Sequence, residues 1–381
     1  MTYADHFADF GDHVWLNCAH QGPLPNVARD ALERAAAWKQ RPFELTSERF
    51  REVPARLRRA LAALVHAPAD EIILANSASY GLHLVARGLP LKPGDEVLVF
   101  GRDFPSDVLP WLLRERDGVV VTRIEPTGTV VEPEDLARHV SPKTRALCLT
   151  WVHSFTGWAI DLDAIGRFCR ERGVTFVVNA SQAIGARPLD VTTAPVDVIV
   201  SVGFKWLCGP YGTGFCWIRP ELRERLLPAK AYWLSMFTAD DLAKPLDLAI
   251  KPGNEARRFD IFGTANFFNY VPWTASIEFI LEHGVEQIRE YDQALVDRLV
   301  RGLEQAGYRL VSPASGPRRS TLVVFAARTP ERTARAYEAL SQAKIHVAMR
   351  SGNIRIAPHL YNDDRDIDTA LTVIRDSIAG G

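Results

Sequence analysis

Apolar residues recur along this chain in two rhythms. Short unbroken runs, rich in β-branched and aromatic residues, read as buried strands at Glu71–Ala75, Glu96–Phe100, Val119–Ile124, Thr144–Thr150, Phe176–Val178 and Val196–Val200. Between and before them, apolar positions three and four apart predict helices over 26–40, 47–66, 81–89, 133–139 and 162–172, with a further helix through Trp111. The alternation describes an α/β fold whose parallel sheet is covered by helices. From Pro220 the chain leaves this sheet, and 230–252 is irregular and amphipathic, suited to a rim or a dimer contact. A long helix over Val285–Gly307, with Ile288, Leu295, Leu299 and Leu303 on one face, then opens a second series. It continues through strands Ser320–Phe325 and His346–Met349, helix Pro330–Leu340 between them, and a helix from Asp364. A chain of 381 residues exceeds one ordinary core. The expected division is an N-terminal arm (1–20), a large domain (21–258) and a small C-terminal α/β domain (259–381).

Candidate chemistry gathers at strand ends. The Val196–Val200 run delivers Ser201–Lys205 at its carboxyl end, followed by Gly209, Pro210, Gly212 and Gly214. In open α/β sheets ligands sit at that edge, where a lysine can be held beside a carbonyl compound. Taken alone, the same lysine reads equally as a solvated residue beside a turn. Ser77, Ala78 and Ser79 open a helix with small residues, leaving backbone N–H groups free for an anion. Ordinary N-capping by Ser77 or Ser79 is compatible with that role.

Composition narrows the class without choosing a reaction. Hydrophobic residues make up 47% and charged residues 24%, as in globular proteins generally. A net charge of −1 gives no electrostatic reason to expect nucleic acid or an anionic membrane as partner. The opening MTYADHFADFGDHVWL carries acids and no apolar signal region, and no apolar run approaches membrane-spanning length. Five cysteines, an odd number without metal-ligand spacing, read as buried thiols in a reducing compartment. A cytoplasmic enzyme without a metal site is expected.

Asn179, Gln182, the Phe204-Lys205 pair and the turn Gly209-Pro-Tyr-Gly-Thr-Gly214 together resemble the class V aminotransferase family of pyridoxal 5′-phosphate (PLP) enzymes. That family includes cysteine desulfurases, isopenicillin N epimerase-like proteins and C–S lyases. The resemblance implies the aspartate-aminotransferase (fold type I) architecture: a large, mostly parallel sheet domain, a smaller C-terminal α/β domain, and a homodimer with shared active sites. It implies that Lys205 forms a Schiff base with PLP and later acts as base at the substrate Cα. Such a lysine needs its pKa lowered by cations or an apolar site. For the cofactor it further implies Ser77, Ala78, Ser79 and Ser201 at the phosphate, Phe104 stacked on the pyridine, and Ser154 and Gln182 at the phenolic oxygen. Thr264, in Arg258–Asn266, resembles the threonine that reaches the phosphate on the other subunit; a helix cap is the plain reading there, as core packing is for Phe104.

For the substrate, Asn353–Asn362 resembles the family segment whose arginine clamps the α-carboxylate, which falls on Arg355, with Ala357 where a serine would stand. Arginine suits that task because its planar fork pairs bidentately with a carboxylate. Arg350, Asn17, His20 and Gln21 are further substrate candidates, the last three also readable as a solvated loop. Two departures bear on the reaction. The loop Met349–Asn353 lacks the cysteine of persulfide-forming desulfurases. Asn179 replaces the aspartate that keeps the pyridine nitrogen protonated, so a neutral pyridine is expected. Transamination suffers more from that change than β-elimination, in which a leaving group departs as Cα loses its proton. The reading is therefore β-elimination from an S-substituted cysteine. Epimerisation, transamination and oxidative decarboxylation are the alternatives, and a PLP-binding protein without turnover is the reading from another class.

Overall fold

The computed structural model describes residues 3–227, 232–237, 239–245, 248–250 and 255–379; parts of the expected 230–252 rim segment lie outside the described residues. After a short strand β1 (Val14–Trp15), seven strands build the main sheet. They are β2 (Ile72–Ala75), β3 (Glu96–Phe100), β4 (Val120–Ile124), β5 (Thr144–Thr150), β6 (Thr175–Asn179), β7 (Val198–Val202) and β8 (Gly214–Ile218), in the spatial order β2-β8-β7-β6-β5-β3-β4. The β3–β4, β3–β5, β5–β6 and β6–β7 pairings are parallel, and β8 runs antiparallel to both neighbours. The strands β6, β7 and β8 are covered on both faces, which is why they read as continuous apolar runs.

Helices α1 (Asn26–Gln40), α2 (Ser47–Val65), α3 (Ala78–Gly88), α4 (Pro105–Leu112), α5 (Pro133–His139) and α6 (Leu162–Glu171) accompany the sheet. Local signals fix their ends. The Thr46 side chain accepts from the Arg49 N–H at the start of α2, and His66 closes that helix in the left-handed region at φ 58°. Short helices α7 (Pro220–Arg223), α8 (Trp233–Met236) and α9 (Ala239–Leu242) precede the longer α10 (Phe267–His283) and α11 (Val285–Gln305). Strand β8 and the extent of α10 go beyond the sequence reading. Tyr270, Trp273, Ile277, Phe279 and Ile280 are all buried, and α10 packs against α1 and α2. A helix buried on several sides shows no one-sided apolar stripe.

The C-terminal part adds β9 (Arg309–Leu310), β10 (Val323–Ala326), helix α12 (Pro330–Gln342), β11 (Ile345–His346), β12 (Ala348–Arg350), β13 (Asn353–Ile356) and helix α13 (Asp364–Ala379). An antiparallel sheet, β12-β13-β10-β9, packs its apolar face on α11, α12 and α13 through Leu299, Leu303, Phe325, Leu340, Ile356 and Ile367. The run 346–349, expected as one strand, is two: His346 pairs with Trp15 of β1, whereas Ala348 pairs with Arg355 of β13. The arm is thus stitched to the C-terminal part, and Leu16 joins its core. We propose a small unit of α11 onward plus β1; the expected 259–381 would also take in α10, which packs mainly on α1 and α2. Among the described residues no helix is long and apolar enough to cross a membrane.

Candidate active site

β3, β5, β6 and β7 pair in parallel and β2, two antiparallel steps from β7, runs the same way, so the carboxyl ends of all five lie at one edge, and their following loops converge there on a cavity of about 520 Å³. Ser77, Ala78, Ser79, Phe104, Ser154, Asn179, Gln182, Lys205, His20, Arg350 and Arg355 line it. Asn17, Ser201 and Thr264 do not. Asn17 is buried against Ala357. The pleat of β7 turns Val202 to the cavity and leaves the Ser201 hydroxyl on the Val202 carbonyl at 3.3 Å. Thr264 lines a separate cavity of about 800 Å³ with Arg58, Tyr232, Trp233 and Asp260.

The turn bearing Lys205 is fixed by its own backbone. Gly203 N–H donates to Thr213 O, Cys208 N–H to Lys205 O, and Gly209 N–H to Gly203 O, at 3.0, 3.0 and 2.8 Å. The Trp206 indole, buried beneath, donates to Gln182 Oε1 at 3.0 Å and so sets the orientation of that amide. Gln182 Nε2 then faces Ala19 O (3.1 Å) and Ser154 Oγ (3.4 Å). Burial, and next the Arg355 guanidinium, bring Lys205 down to about 8, against the opposing pull of Asp107. Phe104 is 41% exposed, too open for a core aromatic; its ring centroid lies 5.8 Å from Lys205 Nζ.

At the opposite wall Ser77 caps α3, its hydroxyl accepting from Tyr80 N–H at 3.2 Å. A Cβ on Gly214 would stand 2.8 Å from the Ser77 backbone, so glycine is what lets β8 approach this helix start. Arg355, on β13, is 2% exposed; one terminal nitrogen donates to Ser154 O at 3.0 Å, while Nε is buried with no hydrogen-bond partner. Burial, then Arg350, lowers Arg355 to about 10. The His20 imidazole is held down by burial first, then by Arg350, Arg355 and Lys205, so the cavity is strongly cationic.

Two buried acids behind this wall escaped the sequence reading. Asp107, in the first turn of α4, accepts from Asn179 Nδ2 at 3.1 Å through Oδ2. Asp103 accepts from the Thr150 and Phe104 N–H groups at 2.9 and 2.8 Å. Burial raises both, Asp103 to about 7 against those two hydrogen bonds; Asp107 is raised further by the Asp103 charge. For Asp107 the signal in the sequence was an acid in a helix's first turn, which ordinarily means only a favourable dipole contact. His153, beside Ser154, bonds the Arg102 carbonyl (3.0 Å) and Thr156 Oγ1 (2.9 Å) and shapes the loop.

These residues fit PLP. The start of α3 offers N–H groups to a phosphate, Lys205 is a low-pKa amine, and Arg355 keeps an unsatisfied buried Nε for a carboxylate. Fold and site together define a PLP-dependent enzyme of the aspartate-aminotransferase type. The chain belongs to the class-V aminotransferase family, whose profile matches residues 27–379. Among its relatives, a probable cysteine desulfurase of Methanothermobacter thermautotrophicus is 28% identical over 295 residues, 76% of this chain and 72% of that protein. Isopenicillin N epimerase of Streptomyces clavuligerus is 28% identical over 314 residues, covering 79% and 78%. Among solved structures, the complex of the cystine C–S lyase C-DES with its reaction product cysteine persulfide superposes with a TM-score of 0.85 at 25% identity, over 96% of this chain and 97% of that one.

Proposed function

We propose that this chain catalyses PLP-dependent β-elimination from an S-substituted cysteine or cysteine conjugate, releasing a thiol, pyruvate and ammonia. The observation that carries this choice is the placing of the thiols: all five cysteines are buried and none lines the cavity. The β12–β13 hairpin contributes Arg350 and no sulfur nucleophile. Sulfur therefore leaves with the product rather than on the enzyme. Similarity to C-DES, named a cystine C–S lyase, supports the same direction.

Bound PLP would supply the electron-withdrawing ring that acidifies the substrate Cα–H. The N–H groups of Ala78 and Ser79 would hold its phosphate, Phe104 would cover the ring, and the phenolic oxygen would accept from Ser154 Oγ and from the Gln182 N–H that now makes the long 3.4 Å contact with that hydroxyl. Arg355 would grip the substrate carboxylate through Nε and its second terminal nitrogen, the edge left open by the Ser154 contact. That grip would turn the Cα proton toward Lys205, whose value of about 8 would let a useful fraction of the amine act as base near neutrality. Arg350 and His20 lie at the same wall and suit a side-chain contact. We further propose a cytoplasmic homodimer in which Thr264 and the exposed Trp233 and Phe262 face the second subunit; the net charge of −1 favours neither nucleic acid nor membrane as partner.

The test is mass spectrometry of products after the PLP-loaded protein is incubated with S-substituted cysteines and unsubstituted amino acids, beside Lys205→Ala. Pyruvate and free thiol that vanish in the variant are the expected result. Exchange of the Cα proton without pyruvate would sink the elimination reading and favour epimerisation, the reaction named for the Streptomyces relative.

A further inference from the structure

The side chain of Asn179 is pinned in one orientation. Its Oδ1 faces the backbone N–H of Ser181 at 3.0 Å and the Ser181 hydroxyl at 2.6 Å. A backbone N–H can only donate, so the atom it meets must be the amide oxygen. The nitrogen is thereby turned to Asp107 Oδ2 at 3.1 Å. With its oxygen holding two donors and one N–H given to Asp107, Asn179 has a single N–H left for the cavity that it lines. A protonated pyridine nitrogen requires an acceptor opposite it, whereas an unprotonated one requires a donor.

We propose that Asp107 is a positioning residue which, with Ser181, fixes the Asn179 amide so that its remaining N–H donates to an unprotonated pyridine nitrogen. The inference rests on the PLP reading of the cavity. Asp107 Oδ2 accepts from Asn179 in either of its charge states, so the device needs an acceptor at this point rather than a charge. The groups around Asp107 are consistent with that. It is fully buried beside Asp103, Cys148 and Trp111, and its other oxygen has no hydrogen-bond partner. A lone carboxylate would be poorly solvated there. Sequence spacing hides the arrangement, since Asn179 and Asp107 stand 72 residues apart.

The experiment loads the protein with PLP carrying ¹⁵N in the ring and reads the ring-nitrogen chemical shift, with PLP affinity measured by fluorescence titration. The wild type and Asp107→Asn, which keeps an acceptor, should both show the unprotonated resonance and equal affinity. Asn179→Asp provides the protonated reference. Asp107→Leu, which removes the acceptor at similar volume, should weaken PLP binding about fivefold or more and disperse the resonance as the amide loses its anchor. A protonated resonance in the wild type overturns the inference, as does Asp107→Asn behaving like Asp107→Leu. Borohydride reduction and peptide mapping separate the two levels. A PLP adduct on Lys205 with a protonated ring overturns this inference alone, and no adduct on Lys205 overturns the PLP reading and the inference with it.

Discussion

Replacing Arg355 by glutamine removes a charge from a site where little water can take its place. The residue is 2% exposed and its Nε has no protein partner, so under the proposed function the substrate carboxylate would be its counterion. An ion pair at ~4 Å in surroundings of effective dielectric ~20 is worth ~4 kcal/mol. Lost hydration of the carboxylate takes back part of this, leaving ~3 kcal/mol, in keeping with hydrogen bonds to charged groups. At ~1.4 kcal/mol per tenfold, kcat/KM for pyruvate release should fall by about two orders of magnitude. The loss should lie mainly in KM, because the carboxylate is held equally before and during reaction. Steady-state kinetics on an S-substituted cysteine and on its α-carboxamide complete the cycle. The wild type should discriminate against the carboxamide by about a hundredfold, and Arg355→Gln should hardly discriminate at all. A variant within threefold of wild type, or one that still prefers the carboxylate strongly, would refute the assignment.

Other expectations follow from the same geometry. The rate at which the cofactor-free protein captures PLP should rise with pH through a midpoint near 8, the value for Lys205, because only the neutral amine reacts. Arg355→Gln should move that midpoint upward, though not to the ordinary lysine range, since burial is the larger cause and persists; a wild-type midpoint near ~10.4 would contradict the account. Burial disfavours charge on His359, yet Asp292 at 2.8 Å, aided by Cys208, outweighs it and lifts the imidazole to about 10. Asp292→Leu, which leaves that histidine buried without its partner, should therefore cost ~3 kcal/mol in urea unfolding. A raised folded pKa means His359 stabilises fully below ~6.5 and progressively less up to about 10, so the deficit should shrink over that window; a pH-independent deficit would argue for packing alone. Gly22→Ala would put a Cβ 2.2 Å from the Lys205 carbonyl, and its PLP capture should slow even where thermal melting shows a folded protein.

Much of this site was legible because its pieces are local. The Val196–Val200 run pointed to a strand with Lys205 beyond its carboxyl end, and the three-residue step from Asn179 to Gln182 placed one at the end of a strand and the other on the turn that follows. Ser77 as a helix cap and Arg355 on a strand followed from short-range pattern as well. Periodicity of 2 or 3.6 is a property of neighbouring residues, so the sequence alone carries it. The tertiary structure decided what depends on chains meeting across the fold. It turned Ser201 into the strand and away from the cavity, and it placed Thr264 at a second cavity. It buried α10 on several sides and so erased its stripe, and it split 346–349 between two partner strands. It brought Ser154 to Arg355 and Asp107 to Asn179, contacts 201 and 72 residues apart. Such pairs are set by sheet order, register and the depth at which a side chain ends. No stretch of a single chain records those quantities, because each is fixed by the packing of segments distant in sequence.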